Sequence, residues 1–269
     1  MKFGVTIRNM GVQSTPDILQ RGTQYAESLG FESIWITDHI AIPPDDAEGS
    51  GGRYTDPLTT LAYLAGCTTK INVGVGVLIL PYRPALPTAK QIATIQELSD
   101  GRLLLGAGVG WMDAEFRALG LDRHQRGKLT DATLATFADC FDNHVVEQNG
   151  QDFIFSPRPV APPIYIGGSA PHALKRAIRY GHGWMPMTRH PEGIREAMDM
   201  FTKMASEAGA RRGPVTAMSG LPEDKSEAEA ALAGYEALGV ERLVLSVRYD
   251  TLDEYKQRLE SLGERLATG

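Results

Sequence analysis

The sequence is poor in the residues and segments from which disulfide frameworks, metal sites and membrane spans are built. Its two cysteines, Cys67 and Cys140, lie far apart and form no CxxC motif, so they predict neither a zinc site nor a disulfide framework. The six histidines are scattered, with no H-x-H pair after the first predicted strand, and we expect no bound metal. No segment approaches the roughly 18 apolar residues of a membrane span, and the start MKFGVTIRNM is too short an apolar run for a signal peptide. We therefore expect a cytoplasmic protein without a membrane partner.

The charge pattern argues against a polyanionic partner. The chain carries 27 basic and 33 acidic residues, for a formal net charge of −6, and the two signs are interspersed. A nucleic-acid-binding protein usually concentrates Lys and Arg in a stripe or patch, and none is visible here. We expect a small-molecule substrate and no nucleic acid.

Several catalytic residue sets are also missing. No lysine stands at the end of a predicted strand, which leaves a Schiff-base aldolase unsupported, and no serine lies in a G-x-S-x-G elbow. The carboxylates Asp38, Asp113 and Glu115 form no clear facing pair of the kind that a glycosidase needs. Since glycine and aromatic residues are plentiful, the balance favours a large flat cofactor that supplies the reactivity, and a cofactor-free barrel enzyme is disfavoured.

Short apolar segments alternate with longer amphipathic segments along the whole chain, which predicts a parallel α/β sheet. The apolar segments span residues 2–7, 33–37, 71–80, 102–108, 163–168, 183–187, 215–219 and 242–247. Eight such units predict one (β/α)8 TIM-barrel domain over residues 1–269, with an open doubly wound sheet as the alternative. The sequence QNGQ, between β-prone residues, predicts a β-hairpin inserted before the fifth barrel strand.

Function in a barrel collects at the carboxyl ends of the strands, and this rule selects few polar groups. Asp38 and His39 follow the second strand, where a histidine can hold a proton, although an isolated histidine can equally be a structural group. Gly167, Gly168 and Ser169 follow the fifth strand and open a predicted helix. This turn could bind a phosphate, or it could be an ordinary strand-to-helix turn with Ser169 as the N-cap.

Two glycine patterns raise a question about the barrel interior. Gly74 and Gly76 interrupt the core strand INVGVGVLILP, although glycine weakens a strand. The segment LGAGVG at 105–110 lacks the helix and the acidic partner of a dinucleotide fingerprint. We interpret it as a strand whose small residues make room inside the barrel mouth.

Taken together, the motifs resemble the luciferase-like (bacterial luciferase-type) oxidoreductase family. The resemblance runs over nearly the whole chain, and the DH and GVGW sequences are most similar to the branch that uses the deazaflavin F420. The motifs that carry it are GFESIWITDHI, VGVGVLILPYRP, AKQIATIQELSDGRLLLGAGVGWMDAEF, Arg126–Gly127, and PIYIGGSAPHALKRAIRYGHGWMP.

The resemblance implies a backbone feature at the third strand. By motif, a bulge with a non-prolyl cis peptide falls at Gly76–Val77 and backs the central ring of the cofactor. The absence of a side chain at Gly76 would then let the main chain face that ring, while Gly74 would relieve crowding. A bend at a corner of the barrel, which glycine also permits, is the alternative.

The resemblance also implies roles for individual residues. Asp38 and His39 would line the pyrimidine and reactive edge of the cofactor, with His39 as the catalytic proton donor or hydrogen-bonding partner. Gly108 and Val109 would lie under the ring or near its side chain, and the phosphate of the cofactor tail would bind at residues 167–169. One departure is that Trp111 stands where the sugar-phosphate dehydrogenases of the family carry a glutamate acid, so a glucose-6-phosphate substrate is not expected.

The resulting expectation is an oxidoreductase that transfers a hydride between the C5 atom of F420 and a small organic substrate. Trp111, Trp184 and Met187 would shape an apolar substrate pocket. The alternatives are an FMN-dependent monooxygenase on the same scaffold and a non-catalytic flavin- or F420-binding protein. Since dimers are common in the family, the resemblance also implies a homodimer.

Overall fold

Eight of the strands form one parallel sheet in a computed structural model that describes residues 1–180 and 182–266. Their burial is continuous rather than alternating, because both faces of the sheet are covered. The strands of this sheet are β1 (Lys2–Thr6), β2 (Ser33–Ile36), β3 (Asn72–Ile79), β4 (Leu103–Gly108), β7 (Ile164–Gly167), β8 (Gly183–Met185), β9 (Thr216–Ser219) and β10 (Arg242–Leu245).

The sheet curls into a nearly closed (β/α)8 barrel, which confirms the predicted fold class. The strand order is β8-β7-β4-β3-β2-β1-β10-β9, with every neighbouring pair parallel. Two isolated parallel bridges, Trp184 to Val215 and Met187 to Met218, connect the two outer strands of that order. The carboxyl ends of all eight strands therefore surround one mouth, and the open doubly wound alternative is wrong.

The helices of the described ranges cover the outside of the barrel. Most follow a strand directly, as a right-handed β-α-β crossover requires. They are α1 (Pro16–Ser28), α2 (Pro57–Gly66), α3 (Ala85–Leu98), α4 (Asp113–Ala118), α5 (Arg126–Asp142), α6 (His172–Tyr180), α7 (Arg195–Glu207), α8 (Lys225–Ala237) and α9 (Leu252–Leu266). Within the same ranges, none of them combines the length and the apolarity that crossing a membrane demands.

The predicted hairpin is present before β7, the fifth strand of the barrel. Strands β5 (Val145–Gln148) and β6 (Gln151–Ile154) pair antiparallel across a two-residue turn. Asn149 and Gly150 both have positive φ, +54° and +76°, as the tight type I′ turn requires. The assignment of all 269 residues to one domain stays a prediction.

The glycines of β3 are explained by what lies against them. The peptide bond between Gly76 and Val77 is cis, as the family resemblance implied, and the pairing of β3 with β4 shifts register between Val75 and Leu78. A Cβ atom at Gly74 would lie 2.7 Å from the ring of Trp35, a contact that no real side chain makes. Gly74 therefore makes room for an aromatic ring inside the barrel.

The small residues of β4 and β7 make room for Val77. A Cβ at Gly108 would lie 2.3 Å from a methyl group of Val77, and one at Gly167 would lie 2.7 Å from the other. A Cβ at Gly106 would be 3.0 Å from Val77 as well. The small residues of this stretch do make room in the barrel mouth, as predicted, and the space is occupied by the side chain of Val77 on the neighbouring strand β3.

Candidate functional site

His39 lies at the barrel mouth between two aromatic side chains. Its ring makes edge contacts with Tyr54 and Trp111, with centroid separations of 5.0 Å and 6.2 Å. Its Nδ1 atom lies 2.8 Å from a carboxylate oxygen of Glu115, and 17% of its side chain is exposed. One nitrogen of the ring is thus held by the protein, while the ring itself reaches the solvent.

Glu115 is the buried centre of this cluster. It lies on α4, its side chain is fully buried, and both of its oxygens are occupied. One oxygen accepts hydrogen bonds from the backbone N–H groups of Ile40 and Ala41, at 2.7 Å and 3.0 Å. The other accepts from the Tyr82 hydroxyl at 3.0 Å as well as contacting His39. Glu115 therefore holds both the His39 ring and the chain that follows it.

The electrostatics define the hydrogen-bonding state of His39. Burial by itself would raise the pKa of Glu115. The hydrogen bonds from the Ala41 and Ile40 N–H groups and from the His39 ring lower it by more, so the pKa lies below its usual value. Burial and the nearby Glu115 charge raise the pKa of Tyr82 well above its ordinary value, which keeps that hydroxyl a neutral donor. Because an ionised carboxylate only accepts hydrogen bonds, Nδ1 of His39 must carry a hydrogen. The remaining nitrogen, Nε2, is the one available to a ligand.

Replacing Glu115 with Gln tests this assignment. The amide can keep its oxygen on Ile40 and Ala41 only by turning its NH2 group toward His39, which makes Nδ1 an acceptor and moves the hydrogen to Nε2. We expect the Glu115→Gln variant to fold and to show this reversed tautomer in the ¹⁵N NMR spectrum of the imidazole. Its turnover should fall by about 10- to 100-fold, which corresponds to the free energy of one charge-assisted hydrogen bond. An unchanged tautomer would contradict the assignment.

Asp38 is held in place by an arginine. Its buried carboxylate accepts two hydrogen bonds from the Arg83 guanidinium, at 2.7 Å and 2.9 Å, and one from the backbone N–H of Ile79 at 2.8 Å. Arg83 also contacts Asp56 at 3.2 Å. These bonds tie β2 to the end of β3, just beyond the cis peptide. The predicted contact of Asp38 with the cofactor stays a prediction.

A cavity of about 420 Å³ opens beside the predicted phosphate turn. Residues 167–170 form one wall and Val109 lies on another, so the end of β4 and the end of β7 meet here. Arg126 and Arg176 also line it, Arg176 being paired with Asp131 at 2.7 Å, and none of its described lining residues is acidic. Backbone groups, a hydroxyl and two guanidinium groups form a suitable environment for a phosphate.

The turn itself differs from a simple capped helix start. Gly168 has φ of +112°, which favours glycine, and the Ala170–Pro171 peptide bond is cis. Helix α6 begins only at His172, so Ser169 is not its N-cap residue; the Ser169 carbonyl accepts from the Ala173 N–H instead. The Ser169 side chain is left exposed at the cavity wall.

The three residues predicted for the substrate pocket occupy different environments. Trp111 is 65% exposed beside His39, and Met187 is 83% exposed at the end of β8. Trp184 is buried against Phe201, and its indole N–H donates to the Gly168 carbonyl at 2.9 Å. Trp184 thus supports the turn at 167–169, whereas Trp111 and Met187 present apolar surface to the mouth.

Sequence reasoning did not identify the contacts that Glu115, Tyr82 and Arg83 make in this site. A signal for Glu115 exists, because Met112, Glu115 and Phe116 are spaced i, i+3 and i+4 and all three are buried. A glutamate on the apolar face of a helix needs a polar partner. The pattern identifies the residue, and only the fold identifies the partner.

Comparisons with known proteins agree with this architecture. The model of the family described as luciferase-like monooxygenase matches residues 1–267. A 5,10-methylenetetrahydromethanopterin reductase of Methanolobus tindarius is 29% identical over 241 residues, covering 87% of this chain and 69% of the relative. An F420-dependent hydroxymycolic acid dehydrogenase of Mycobacterium tuberculosis is 29% identical over 236 residues, covering 81% of this chain and 63% of that protein.

Solved structures share the barrel over nearly the whole chain. The oxygenating constituent of 3,6-diketocamphane monooxygenase of Pseudomonas putida, in complex with FMN, has a TM-score of 0.78 at 15% identity and covers 100% of this chain and 98% of its own. An F420-dependent secondary alcohol dehydrogenase with an F420–acetone adduct has a TM-score of 0.74 at 15% identity, covering 97% and 99%. At such identities the structural likeness shows the fold alone. Because the family model matches residues 1–267, the chain belongs to the luciferase-like monooxygenase family.

Proposed function

We propose that this protein is an F420-dependent oxidoreductase that transfers a hydride between the deazaflavin C5 atom and a small organic substrate. One observation carries the proposal: a histidine–carboxylate pair, the backbone bulge at Gly76–Val77 and an arginine-lined cavity beside the 167–169 turn lie around a single barrel mouth. The name of the M. tuberculosis relative, at 29% identity, states F420 dependence and favours F420 over FMN.

The residues around the mouth fit a planar cofactor with a phosphate-bearing tail. Gly167, Gly168 and Ser169, with Arg126 and Arg176, would hold the phosphate in the 420 Å³ cavity. The ring would rest against the backbone of Gly76 and Val77, whose side chain is only partly buried. Gly108 and Val109 would lie under the ring or near its side chain, and Asp38 and His39 would border the ring edge.

When bound, F420 supplies a carbon that accepts or donates a hydride. His39 would hold or release the accompanying proton at Nε2, because its Nδ1 is committed to Glu115. The Glu115 carboxylate accepts the Nδ1 hydrogen bond and so keeps the ring in one orientation. Tyr54 and Trp111 pack on the edges of the His39 ring and restrict the access of water to it.

FMN is the second candidate cofactor, and the protein would then be a monooxygenase. The structure solved with FMN has the same fold, and a phosphate site serves both molecules. A non-catalytic flavin-binding protein would have no use for the buried Glu115 that orients His39. The homodimer stays a prediction from the family resemblance.

Titration of the purified protein with F420 and with FMN separates the two cofactors. We expect micromolar F420 binding and much weaker FMN binding, measured by the change in cofactor fluorescence.

The variant Ser169→Ala/Arg126→Gln should bind F420 about tenfold more weakly, since it loses a hydroxyl and a charge-assisted contact to the phosphate. Arg21→Gln, on the exposed face of α1, is the matched control. Micromolar FMN affinity without F420 binding would reverse the assignment.

A further inference from the structure

A second cavity, of about 720 Å³, opens at the ends of β8, β9 and β10. In the closed barrel order, β8 lies opposite β2, the strand that His39 follows, and β9 and β10 lie between β8 and β1. Within residues 1–180 and 182–266, no residue lines both this cavity and the 420 Å³ cavity. A tail bound at residues 167–169 would therefore leave it free for another molecule.

One wall of this cavity is apolar. Its lining residues are Met187, Met218, Leu221, Val247 and Leu262. The Met187 side chain is 83% exposed. Flexible methionine side chains adapt to hydrocarbon groups of different shape. This wall suits the body of an organic molecule.

One residue of the apolar wall, Met218, lies against Gly76, the first residue of the cis peptide. The sulfur of Met218 lies so close to Gly76 that a Cβ there would be 2.9 Å from it. Met218 thus contacts both the cavity and the bulge against which the cofactor ring is proposed to rest. A molecule seated in the cavity would contact Met218, whose sulfur packs against that bulge.

The lining of this cavity also carries positive charge. Among the described residues, the cavity lining includes four arginines, namely Arg189, Arg248, Arg258 and Arg265, and one carboxylate, Glu223. Arg258 is engaged by Glu223 at 3.4 Å and by Glu254 at 3.6 Å. Arg189 and Arg248 are exposed, and neither forms an ion pair with any residue in 1–180 or 182–266.

We propose that this cavity binds the substrate and that the substrate is an amphiphilic organic anion. Its carboxylate or phosphate would contact Arg189 and Arg248, and its hydrocarbon part would lie along the methionine wall toward Gly76. Guanidinium groups suit both kinds of anionic head, because their forked donors match two oxygens at once. The inference rests on the proposed function for the role of the anion as substrate, whereas its binding can be measured without cofactor.

Calorimetry with three matched eight-carbon probes tests the proposal. We expect octanoate or octyl phosphate to bind at least about tenfold more tightly than octanamide, and this preference to weaken as the salt concentration rises. Comparison of octanoate with octyl phosphate identifies the head group. Equal affinity for octanamide and both anions would overturn the proposal.

The double variant Arg189→Gln/Arg248→Gln locates the site. It should lose about tenfold in anion affinity, the sum of two solvent-exposed charge contacts, and leave octanamide binding and F420 binding unchanged. Arg195→Gln, at an exposed arginine of α7 outside both cavities, should change none of these values. Unchanged anion binding in the double variant would refute the site even if F420 binds. Loss of the anion preference in this variant, in a protein that does not bind F420, would support the site and refute only the proposed cofactor.

Discussion

Replacing His39 with Ala should lower the turnover of F420 with its substrate by about 10²- to 10⁴-fold. The change removes the Nε2 atom that would hold the proton and leaves the residues proposed to bind the phosphate, around 167–169, untouched. The dissociation constant of F420 should therefore stay nearly the same. Steady-state kinetics gives the first value, and a fluorescence titration of F420 gives the second.

A control and a rescue distinguish a proton role from a packing role. His144→Ala removes an exposed histidine just before the hairpin, outside both cavities, and should leave turnover at the level of the parent protein. Added imidazole should restore part of the lost activity of His39→Ala, because it can occupy the space that the ring vacates between Tyr54 and Trp111. Turnover that survives the loss of His39 would end its assignment as the catalytic residue.

The partners of His39 show what the sequence could predict about this site and what it could not. The strand that ends at Ile36 and the residues after it could be located from the apolar pattern alone. Glu115, however, is 76 positions further along the chain, and α4 brings it to His39 only because Met112 and Phe116 anchor that helix in the interior. Periodicity describes one element at a time, so it gives no distance between two elements.

The glycines of the barrel mouth illustrate the same limit. Their presence on three strands suggested open space, and the family resemblance located the cis peptide at Gly76–Val77 correctly. The space beside Gly108 and Gly167 is nevertheless taken by the side chain of Val77. Which neighbour fills a gap depends on sheet register, and the bulge in β3 shifts that register between Val75 and Leu78. A shift of this kind leaves no trace in the hydrophobic pattern.

The opposite end of the barrel is closed by a buried arginine. Arg242, the first residue of β10, is only 2% exposed. Its guanidinium makes two hydrogen bonds of 2.7 Å to the Glu32 carboxylate and one of 2.8 Å to the Tyr165 hydroxyl. It also donates to the Thr216 hydroxyl at 3.2 Å. Four strand regions around the barrel thus depend on one cation for their polar contacts.

Replacing Arg242 with Met should destabilise the protein by about 3 kcal/mol in chemical unfolding. Methionine fills a similar volume, but it leaves the Glu32 carboxylate without its cation and the Tyr165 hydroxyl without a donor. We choose the lower part of the usual range of about 3–5 kcal/mol because the Glu32 side chain is 24% exposed and keeps a bond of 3.0 Å from Asn72. Urea unfolding followed by circular dichroism measures the change.

A neighbouring ion pair supplies the matched control, since Lys2, the first residue of β1, pairs at the surface with Glu241, the residue before Arg242. Their side chains are 52% and 43% exposed, and the two charged atoms are 3.1 Å apart. An exposed pair of this kind contributes about 0–1 kcal/mol, so Lys2→Met should cost far less than Arg242→Met. If burial is the cause, Glu32→Gln should restore part of the stability of Arg242→Met, because the second change removes the uncompensated charge. Equal losses for Lys2→Met and Arg242→Met would show that strand pairing, not the buried charge network, holds this end of the barrel closed.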